Sequence, residues 1–141
     1  YLDAGLDVSN NRAFPHTPKR SASLGVDWAV FKGDWGKFNL YGDVNYVSAY
    51  FTFPYPLVTP TPSDQNAYTT RSKGRTIVNL RAALSDFEIG GVKTEIAAFV
   101  RNLTKEDNPS NFIDFGPGFG GLTLGYFPDP RTWGISAVVR F

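Results

Sequence analysis

The stretch from Arg131 to Phe141, RTWGISAVVRF, alternates apolar residues with small or polar ones. Successive side chains of a β-strand point to opposite faces, so this alternation predicts a strand with one apolar face and one wet face. Trp133 and Phe141 are eight residues apart. That separation is about 26 Å along a strand, or roughly 20 Å of height at a tilt of about 40°. Aromatic ends with aliphatic residues between them are typical of a lipid-facing barrel strand, although a soluble sandwich strand alternates in the same way.

The composition argues against several classes of protein. The 141 residues carry 14 basic and 13 acidic side chains, and a net charge of +1 does not favour nucleic acid as a partner. Apolar runs stay well short of about 18 residues and the mean hydropathy is −0.22, so we expect no transmembrane helix. Cys is absent, which excludes disulfides and thiol catalysis. The chain opens at Tyr1 without Met or a signal peptide, and we expect it to be a piece of a longer polypeptide.

The alternation recurs along the whole chain. It predicts six strands, at residues 1–8, 19–30, 37–51, 75–86, 94–104 and 131–141. Two connections are short turns with two glycines each, 31–36 and 87–93. Three connections are longer, at residues 9–18, 52–74 and 105–130. The four prolines of PYPLVTPTP remove backbone donors, so we expect the second of these loops to leave the sheet.

Two regularities of these strands indicate their solvent. The mid-strand charges all fall on the parity opposite the apolar one, at Asp27, Asp43, Arg81, Glu95 and Arg101. A Lys or Arg that faces lipid at mid-bilayer costs about 2–4 kcal/mol, so a lipid solvent selects this segregation. Short turns also alternate with long loops, as periplasmic turns and extracellular loops do in outer-membrane barrels. The sequence therefore predicts an all-β, antiparallel transmembrane β-barrel segment of about six strands, which needs further strands to close.

Three short motifs resemble one protein family. Thr17-Pro18-Lys19 opens a strand, FVRNLT (Phe99 to Thr104) ends the penultimate one, and PRTWG (Pro130 to Gly134) leads to the terminal Phe141. In this order and at these spacings, they resemble the C-terminal part of the barrel of a TonB-dependent outer-membrane receptor. The chain departs from that pattern at Asp107-Asn108-Pro109, where the family often has an acidic residue followed by an aromatic one. The family's plug domain and TonB box lie far upstream of such a segment.

The resemblance implies that residues 1–141 form the last strands of a receptor barrel in the cell outer membrane. Such a receptor takes up a scarce nutrient, such as an iron–siderophore complex, with energy from the TonB complex, which contacts the N-terminal part. The other implied partners are outer-membrane lipid, the remainder of the barrel with its plug, and the barrel-assembly machinery, which reads Phe141. A passive porin or structural barrel without a plug is the alternative. A soluble β-sandwich binding module is a third reading.

Two sets of side chains are candidates for contacts inside such a receptor. The resemblance implies that Asp43, Arg81, Glu95 and Arg101 face the lumen and the plug. We expect them to be hydrated or mutually paired, with an acid–base pair or an anion path as the alternative. The long loops are rich in aromatic residues, which offer contact area at low entropic cost. Candidate ligand contacts there are Phe53, Tyr55, Phe115 and Phe119, although packing between loops and an interfacial aromatic belt account for such residues equally simply.

Three other motifs match known functional patterns, but the residues around them do not support the functions that these patterns suggest. Residues 116–121 (GPGFGG) match a dinucleotide fingerprint, but that motif must open a helix, and LTLG follows instead, so we expect a loop. Asn102-Leu103-Thr104 is a formal glycosylation sequon at a strand end, where a structural role is the expectation. His16 is the only His, so neither a metal site nor a catalytic triad is expected. We therefore predict no catalytic, cofactor-binding or metal-binding residue.

Overall fold

The computed structural model describes residues 2, 3, 6, 7, 9, 13–53, 70–115 and 117–140. These residues form an all-β fold with antiparallel pairing. Its strands are β1 (Leu2–Asp3), β2 (Leu6–Asp7), β3 (Ser21–Gly33), β4 (Gly36–Val47), β5 (Tyr50–Phe51), β6 (Arg71–Ser72), β7 (Arg75–Ile89), β8 (Val92–Arg101), β9 (Asn111–Asp114), β10 (Thr123–Tyr126) and β11 (Thr132–Arg140), with a 3-10 turn at Pro117–Phe119. Within these described ranges, no helix is long and apolar enough to cross a membrane.

Five long strands form the main sheet, in the order β11-β8-β7-β4-β3. Asp34 and Trp35 join β3 to β4, and Gly90 and Gly91 join β7 to β8. Both of these glycines have positive φ, 61° and 82°. A two-residue turn with φ above zero at both positions has the twist of the flanking strands, which explains the Gly-Gly pair. The short turns are therefore tighter than the predicted 31–36 and 87–93.

The strand register confirms that the predicted parities define two faces. Leu80 lies opposite Val100, which lies opposite Trp133, and the next apolar row is Ala82, Ala98 and Ile135. We call the side that carries these rows the apolar face. The intervening rows form the polar face, where Arg81 is opposite Phe99 and Arg101 is opposite Thr132. The main sheet thus segregates apolar from charged side chains as the alternation predicts.

Large side chains of the apolar face are exposed. Trp133 is 78% exposed, Ile135 75% and Leu24 67%. Among the described residues, the buried hydrophobic side chains are small ones, namely Ala13, Ala83 and Ala97. A soluble domain buries one face of a sheet against a second layer, so an uncovered apolar face of this size marks an interaction surface.

A β-bulge interrupts β7 near the turn end of the sheet. The pairing with β8 shifts between Leu84 and Phe87, so that Phe87 rather than Asp86 is opposite Thr94. Asp86 has a φ of 58°, and its Oδ2 lies 2.6 Å from Lys37 Nζ on β4. The extra residue shifts the parity, and pairing with β8 continues beyond it to Ile89, past the predicted end of the strand at residue 86.

Over the described residues the main sheet has five strands, where the sequence predicts about six. The described residues of the predicted strand 1–8 belong to two short strands, in which Leu2 pairs with Asp7 and Asp3 with Leu6 in antiparallel orientation. Alternation of apolar residues does not reveal the reversal, since both arms of a hairpin keep the same period. The backbone N–H of Ser9 donates to Asp7 Oδ1 at 2.9 Å, and this hydrogen bond lowers the pKa of the Asp7 carboxyl.

The long connections contain structure that the sequence analysis did not predict. The predicted strand 37–51 divides, since β4 ends at Val47 and β5 pairs with β6. Within the third loop, β9 pairs with β10 in register from Asn111 opposite Tyr126 to Asp114 opposite Thr123. The chain consequently divides into two compact units. The loop unit comprises Tyr1–Ser21, Val47–Arg75 and Asp107–Pro128, and the sheet unit comprises Ala22–Tyr46, Thr76–Glu106 and Asp129–Phe141.

Candidate functional site

The polar face of the sheet unit carries all four predicted lumen residues. Arg81 and Glu95 form an ion pair between β7 and β8. The row between them contains Ala83 opposite Ala97, so the two long side chains meet across these small ones. Ala83 and Ala97 are 5% and 1% exposed. This ion pair agrees with the expectation that charges on this face pair with one another.

Asp43 belongs to a chain of hydrogen bonds that crosses three strands. Its Oδ2 accepts from Asn45 Nδ2 at 2.8 Å and from Asn79 Nδ2 at 2.9 Å. Ser23 Oγ donates to Asn45 Oδ1 at 2.9 Å, and Asn79 Oδ1 accepts from the backbone N–H of Asn102 at 3.0 Å. Two amide donors satisfy one oxygen of the carboxylate, so hydrogen bonds fix the Asp43 side chain in place.

Asn102 is the anchor at the end of this chain. It follows β8 with a φ of 51° and is 3% exposed. Its Nδ2 donates to the carbonyl oxygens of Glu106 at 2.8 Å and Asp129 at 2.9 Å, and its Oδ1 accepts from the Glu106 N–H at 2.8 Å. A side chain with these bonds is not available to a glycan. The structural interpretation of the Asn102-Leu103-Thr104 sequon is therefore confirmed.

Arg101 stands apart from the ion pair on the same face. Its guanidinium carbon lies 5.6 Å from the centre of the Phe99 ring, and the residue is exposed. A cation above an aromatic face at this distance is held by the ring quadrupole. The charge of Arg101 thus remains accessible on the polar face.

Two open depressions flank Arg81 on the polar face. One, of about 280 Å³, is lined by Asp27, Asn39, Tyr41, Arg81 and Glu95 among others. The second, of about 420 Å³, is lined by Asp43, Asn79, Arg81, Phe99 and Arg101 among others. Both combine charged, amide and aromatic groups. They can hold water or a polar segment of another chain.

Side chains in the loop unit connect the bases of two loops. Tyr50 Oη donates to the Ser110 carbonyl oxygen at 2.6 Å. Arg75 lies 5.6 Å from the Tyr50 ring centre and donates to Tyr50 Oη at 3.3 Å and to Ser72 Oγ at 3.2 Å. Ser72, which is fully buried, donates to the Pro109 carbonyl oxygen at 3.0 Å. These bonds order the loop unit, and we call them the Tyr50 latch.

The structure describes three of the four loop aromatics proposed as ligand contacts. Phe53 is half-buried, whereas Phe115 and Phe119 are 42% and 71% exposed. The rings of Phe115 and Phe119 meet edge to face, with centroids 5.9 Å apart. Tyr55 lies outside the described residues, as does Phe141. The exposed pair is free to contact a ligand, and its contact with a ligand stays a prediction.

The other motifs have structural roles where they are described. After the glycine-rich segment, the chain forms β10 rather than the helix that a dinucleotide fingerprint requires. His16 is exposed, with its ring 6.0 Å from that of Tyr50, and its backbone N–H donates to the Phe51 carbonyl oxygen at 2.7 Å. Over the described part of the chain, no group of three or more acidic or His side chains could hold a metal ion.

The sequence analysis did not predict the amide and hydroxyl residues that form the Asp43 chain of hydrogen bonds and the Tyr50 latch. Ser23, Asn45 and Asn79 have the same parity as Asp43 and stand at the same end of their strands, a signal that was available. Ser72 and Tyr50 gave no such signal. Their partners lie 37 and 60 residues away along the chain, so only the fold brings them together.

Comparisons with known proteins give one similarity of structure. No protein-family profile and no curated protein sequence matches the chain. Among solved structures, it is similar to BauA, the ferric preacinetobactin receptor from Acinetobacter baumannii, with a TM-score of 0.61 and 22% sequence identity. The similarity covers 94% of this chain, which spans 16% of the length of BauA. At this identity the likeness concerns the fold alone: the chain is similar in fold to a segment of BauA.

Proposed function

We propose that this chain is a wall segment of a TonB-dependent outer-membrane receptor that takes up a scarce nutrient, such as an iron–siderophore complex. The observation that carries the proposal is the exposed apolar face, backed by a polar face with every mid-strand charge. In water, exposure of Trp133, Ile135 and Leu24 at 67–78% is unfavourable. In a bilayer, the same face meets hydrocarbon.

The strand lengths support a membrane span. A tilted transmembrane strand needs about 9–11 residues. The five strands of the main sheet have 13, 12, 15, 10 and 9 residues. A soluble sheet does not need strands this long, since they usually have about 5–6 residues there.

An aromatic pair near the turn end of the sheet fits the membrane boundary. The rings of Phe31 and Trp35 stack with centroids 4.7 Å apart, and Trp35 is 61% exposed. Aromatic rings are enriched where hydrocarbon meets the headgroups. We propose that this end lies at the periplasmic surface and that the long loops lie outside the cell.

The edges of the sheet support the need for more strands. β3 and β11 are its two outer strands. An open edge in hydrocarbon leaves backbone groups unsatisfied at a cost of several kcal/mol each, so a membrane sheet closes into a barrel. We propose that the remaining strands and the plug belong to the same polypeptide, whose N-terminal part contacts the TonB complex.

In this proposal the polar face lines the lumen. The Arg81–Glu95 pair and the Asp43 network make that wall rigid, whereas Arg101 presents an accessible positive charge to the plug. The exposed Phe115 and Phe119 are offered as contacts to the ligand outside the cell. No step in this mechanism is catalytic.

Spin labels would test the membrane assignment, because the 141 residues contain no Cys. Ile135→Cys and Ser136→Cys are matched neighbours on opposite faces of β11. In the full-length polypeptide in lipid vesicles, a nitroxide at 135 should collide with oxygen dissolved in lipid. A nitroxide at 136 should collide with a water-soluble nickel complex. Equal access of the nickel complex to both would contradict the membrane wall and favour the soluble sandwich.

A transport assay would separate a receptor from a porin. The full-length protein is produced in a Gram-negative host without its own siderophore receptors, and uptake of radiolabelled ferric siderophores is measured, ferric preacinetobactin first. We expect uptake that stops when TonB is deleted. Uptake that persists without TonB would instead identify a passive barrel.

A further inference from the structure

The apolar face of the sheet unit contains a trough of about 480 Å³. Small residues form its floor, at Gly42, Ala82 and Ala98, and large ones form its walls, among them Trp28 and Leu80. The volume is within the range of about 300–1,000 Å³ of small-molecule sites. Elsewhere on the apolar face most side chains are large, such as Trp133 and Ile135, and small residues such as Ala137 do not adjoin one another as Ala82 and Ala98 do.

The floor is low because small residues of adjacent strands are neighbours. Ala82 lies opposite Ala98 in the register of β7 and β8. On β4, Gly42 has no side chain, and a Cβ added there would lie 3.0 Å from Leu80 Cδ2. Leu80 therefore leans over the glycine, and the floor continues from β4 to β8.

The trough lies near the middle of the strands. Ala82 is seven residues from Arg75 and seven from Ile89, the two ends of β7. Gly42 is six residues from Gly36 and five from Val47, the ends of β4. With the proposed function, this position is the centre of the hydrocarbon layer, which headgroups and water do not reach.

The charged and polar residues at the border of the trough point away from it. Arg81 and Tyr41 contribute to the lining, but their parity belongs to the polar face, where Arg81 is paired with Glu95. Side chains that face into the trough are apolar, so it complements an uncharged hydrocarbon and offers nothing to a polar head. The trough is also continuous with the apolar face that the proposed function puts in lipid.

We infer that the trough holds one acyl chain of a membrane lipid as a specific site, an inference that rests on the proposed function. The chain fills the step between the small floor and the large walls, where loosely ordered lipid would pack poorly. A lipid seated there is retained longer than the surrounding lipid.

Filling the floor tests this site. Ala82→Leu/Ala98→Leu places two larger apolar side chains in the trough, and both face hydrocarbon, so the barrel should still fold. Ala137→Leu is the control, because Ala137 lies on the same face, opposite Ile96, and outside the trough. Full-length protein extracted into detergent is washed, and retained phospholipid is counted by native mass spectrometry.

We expect the parent and Ala137→Leu to keep roughly one phospholipid more per protein than the double variant. Equal retention by all three would overturn the acyl-chain site. A dimer that the double variant dissociates would overturn it too, in favour of a second copy as the occupant. Quenching of Trp fluorescence by lipids with brominated chains, measured on the same three proteins in vesicles of those lipids, reports whether the face is in lipid at all. Failure of the proposed function is thereby distinguished from failure of the site.

Discussion

Ala83 and Ala97 face each other across β7 and β8 and are nearly buried on a face that is otherwise open. The Arg81–Glu95 ion pair crosses the row that they form. Larger side chains at these two positions would occupy the path of the pair. The small residues and the ion pair are therefore one feature, in which the alanines make room for the charges.

The first prediction concerns the space that Ala83 and Ala97 leave for the ion pair. Ala97→Leu should lower the free energy of unfolding by about 1–3 kcal/mol, because overpacking displaces the ion pair. Ala98→Leu, one residue away, points to the apolar face and should be nearly neutral. Urea unfolding of the full-length protein in vesicles measures both. An equal loss of unfolding free energy in Ala97→Leu and Ala98→Leu would show that the two faces of the sheet are not distinct.

The second prediction tests the solvent of the apolar face. Val26→Arg should destabilise the protein by about 2–4 kcal/mol, because it puts a charge near mid-bilayer. Gly25→Arg is a matched neighbour on the polar face, where an added Cβ would meet nothing within 4 Å. Gly25→Arg should therefore lower the free energy of unfolding by much less than Val26→Arg does. Folding titrations into lipid vesicles measure the change in the free energy of unfolding for both variants. A loss for Val26→Arg as small as that for Gly25→Arg would contradict the assignment of this face to lipid.

The faces of the sheet could be predicted because the period of a strand is fixed at two. Trp133 and Val100 share the apolar parity in the sequence, and they are direct partners in the sheet. An inserted residue breaks this rule without a local signal. Asp86 adopts a left-handed backbone and pairs with Lys37, which comes from another strand, so the bulge was not predictable from β7 alone.

The partners of the charged residues were harder to predict than their face. Arg81 and Glu95 are 14 residues apart along the chain, and which charge meets which depends on the register of β7 and β8. The roles of Asn79 and Asn102 depend on contacts between strand ends and loops. Local patterns contain no information on such contacts, although polar parity could have singled out Asn79.

The third prediction concerns Asn102. Asn102→Asp keeps the shape of the side chain but replaces its two N–H donors with an oxygen that faces the carbonyls of Glu106 and Asp129. We expect a loss of about 1–3 kcal/mol, the usual cost of unsatisfied buried polar groups. Leu103→Ala, at a neighbouring exposed residue, is the control. A variant as stable as the parent would show that these bonds do not hold the end of β8.

The fourth prediction concerns the Tyr50 latch. Tyr50→Phe retains the ring beside Arg75 and removes the hydroxyl that donates to Ser110. The loss of about 1 kcal/mol should be local, so cleavage of the glycine-rich segment 116–121 by a protease should become faster. Tyr46→Phe, on the sheet, should leave the cleavage rate unchanged. Equal rates in both variants would mean that the latch does not restrain the loop.

The last prediction concerns Phe141, which lies outside the described residues and follows the last strand, β11. Its sequence parity, which is that of Trp133 and Ile135, predicts the apolar face, and with the proposed function its ring is expected at the rim, between lipid tails and headgroups. Burial there is worth only about 1.5–3 kcal/mol, which a large barrel tolerates. The resemblance to TonB-dependent receptors implies a second role, as part of the signal that the assembly machinery reads.

These two roles of Phe141 predict different results. With the proposed function, deletion of Phe141 from the full-length protein should reduce the amount that reaches the outer membrane several-fold, while the protein that does insert unfolds at nearly the parent temperature. Surface labelling of cells measures the first quantity, and heat-modified migration of purified protein measures the second. Phe141→Trp is the control, because it preserves a terminal aromatic ring. Undiminished surface abundance after the deletion would leave Phe141 as an ordinary aromatic residue of the membrane boundary.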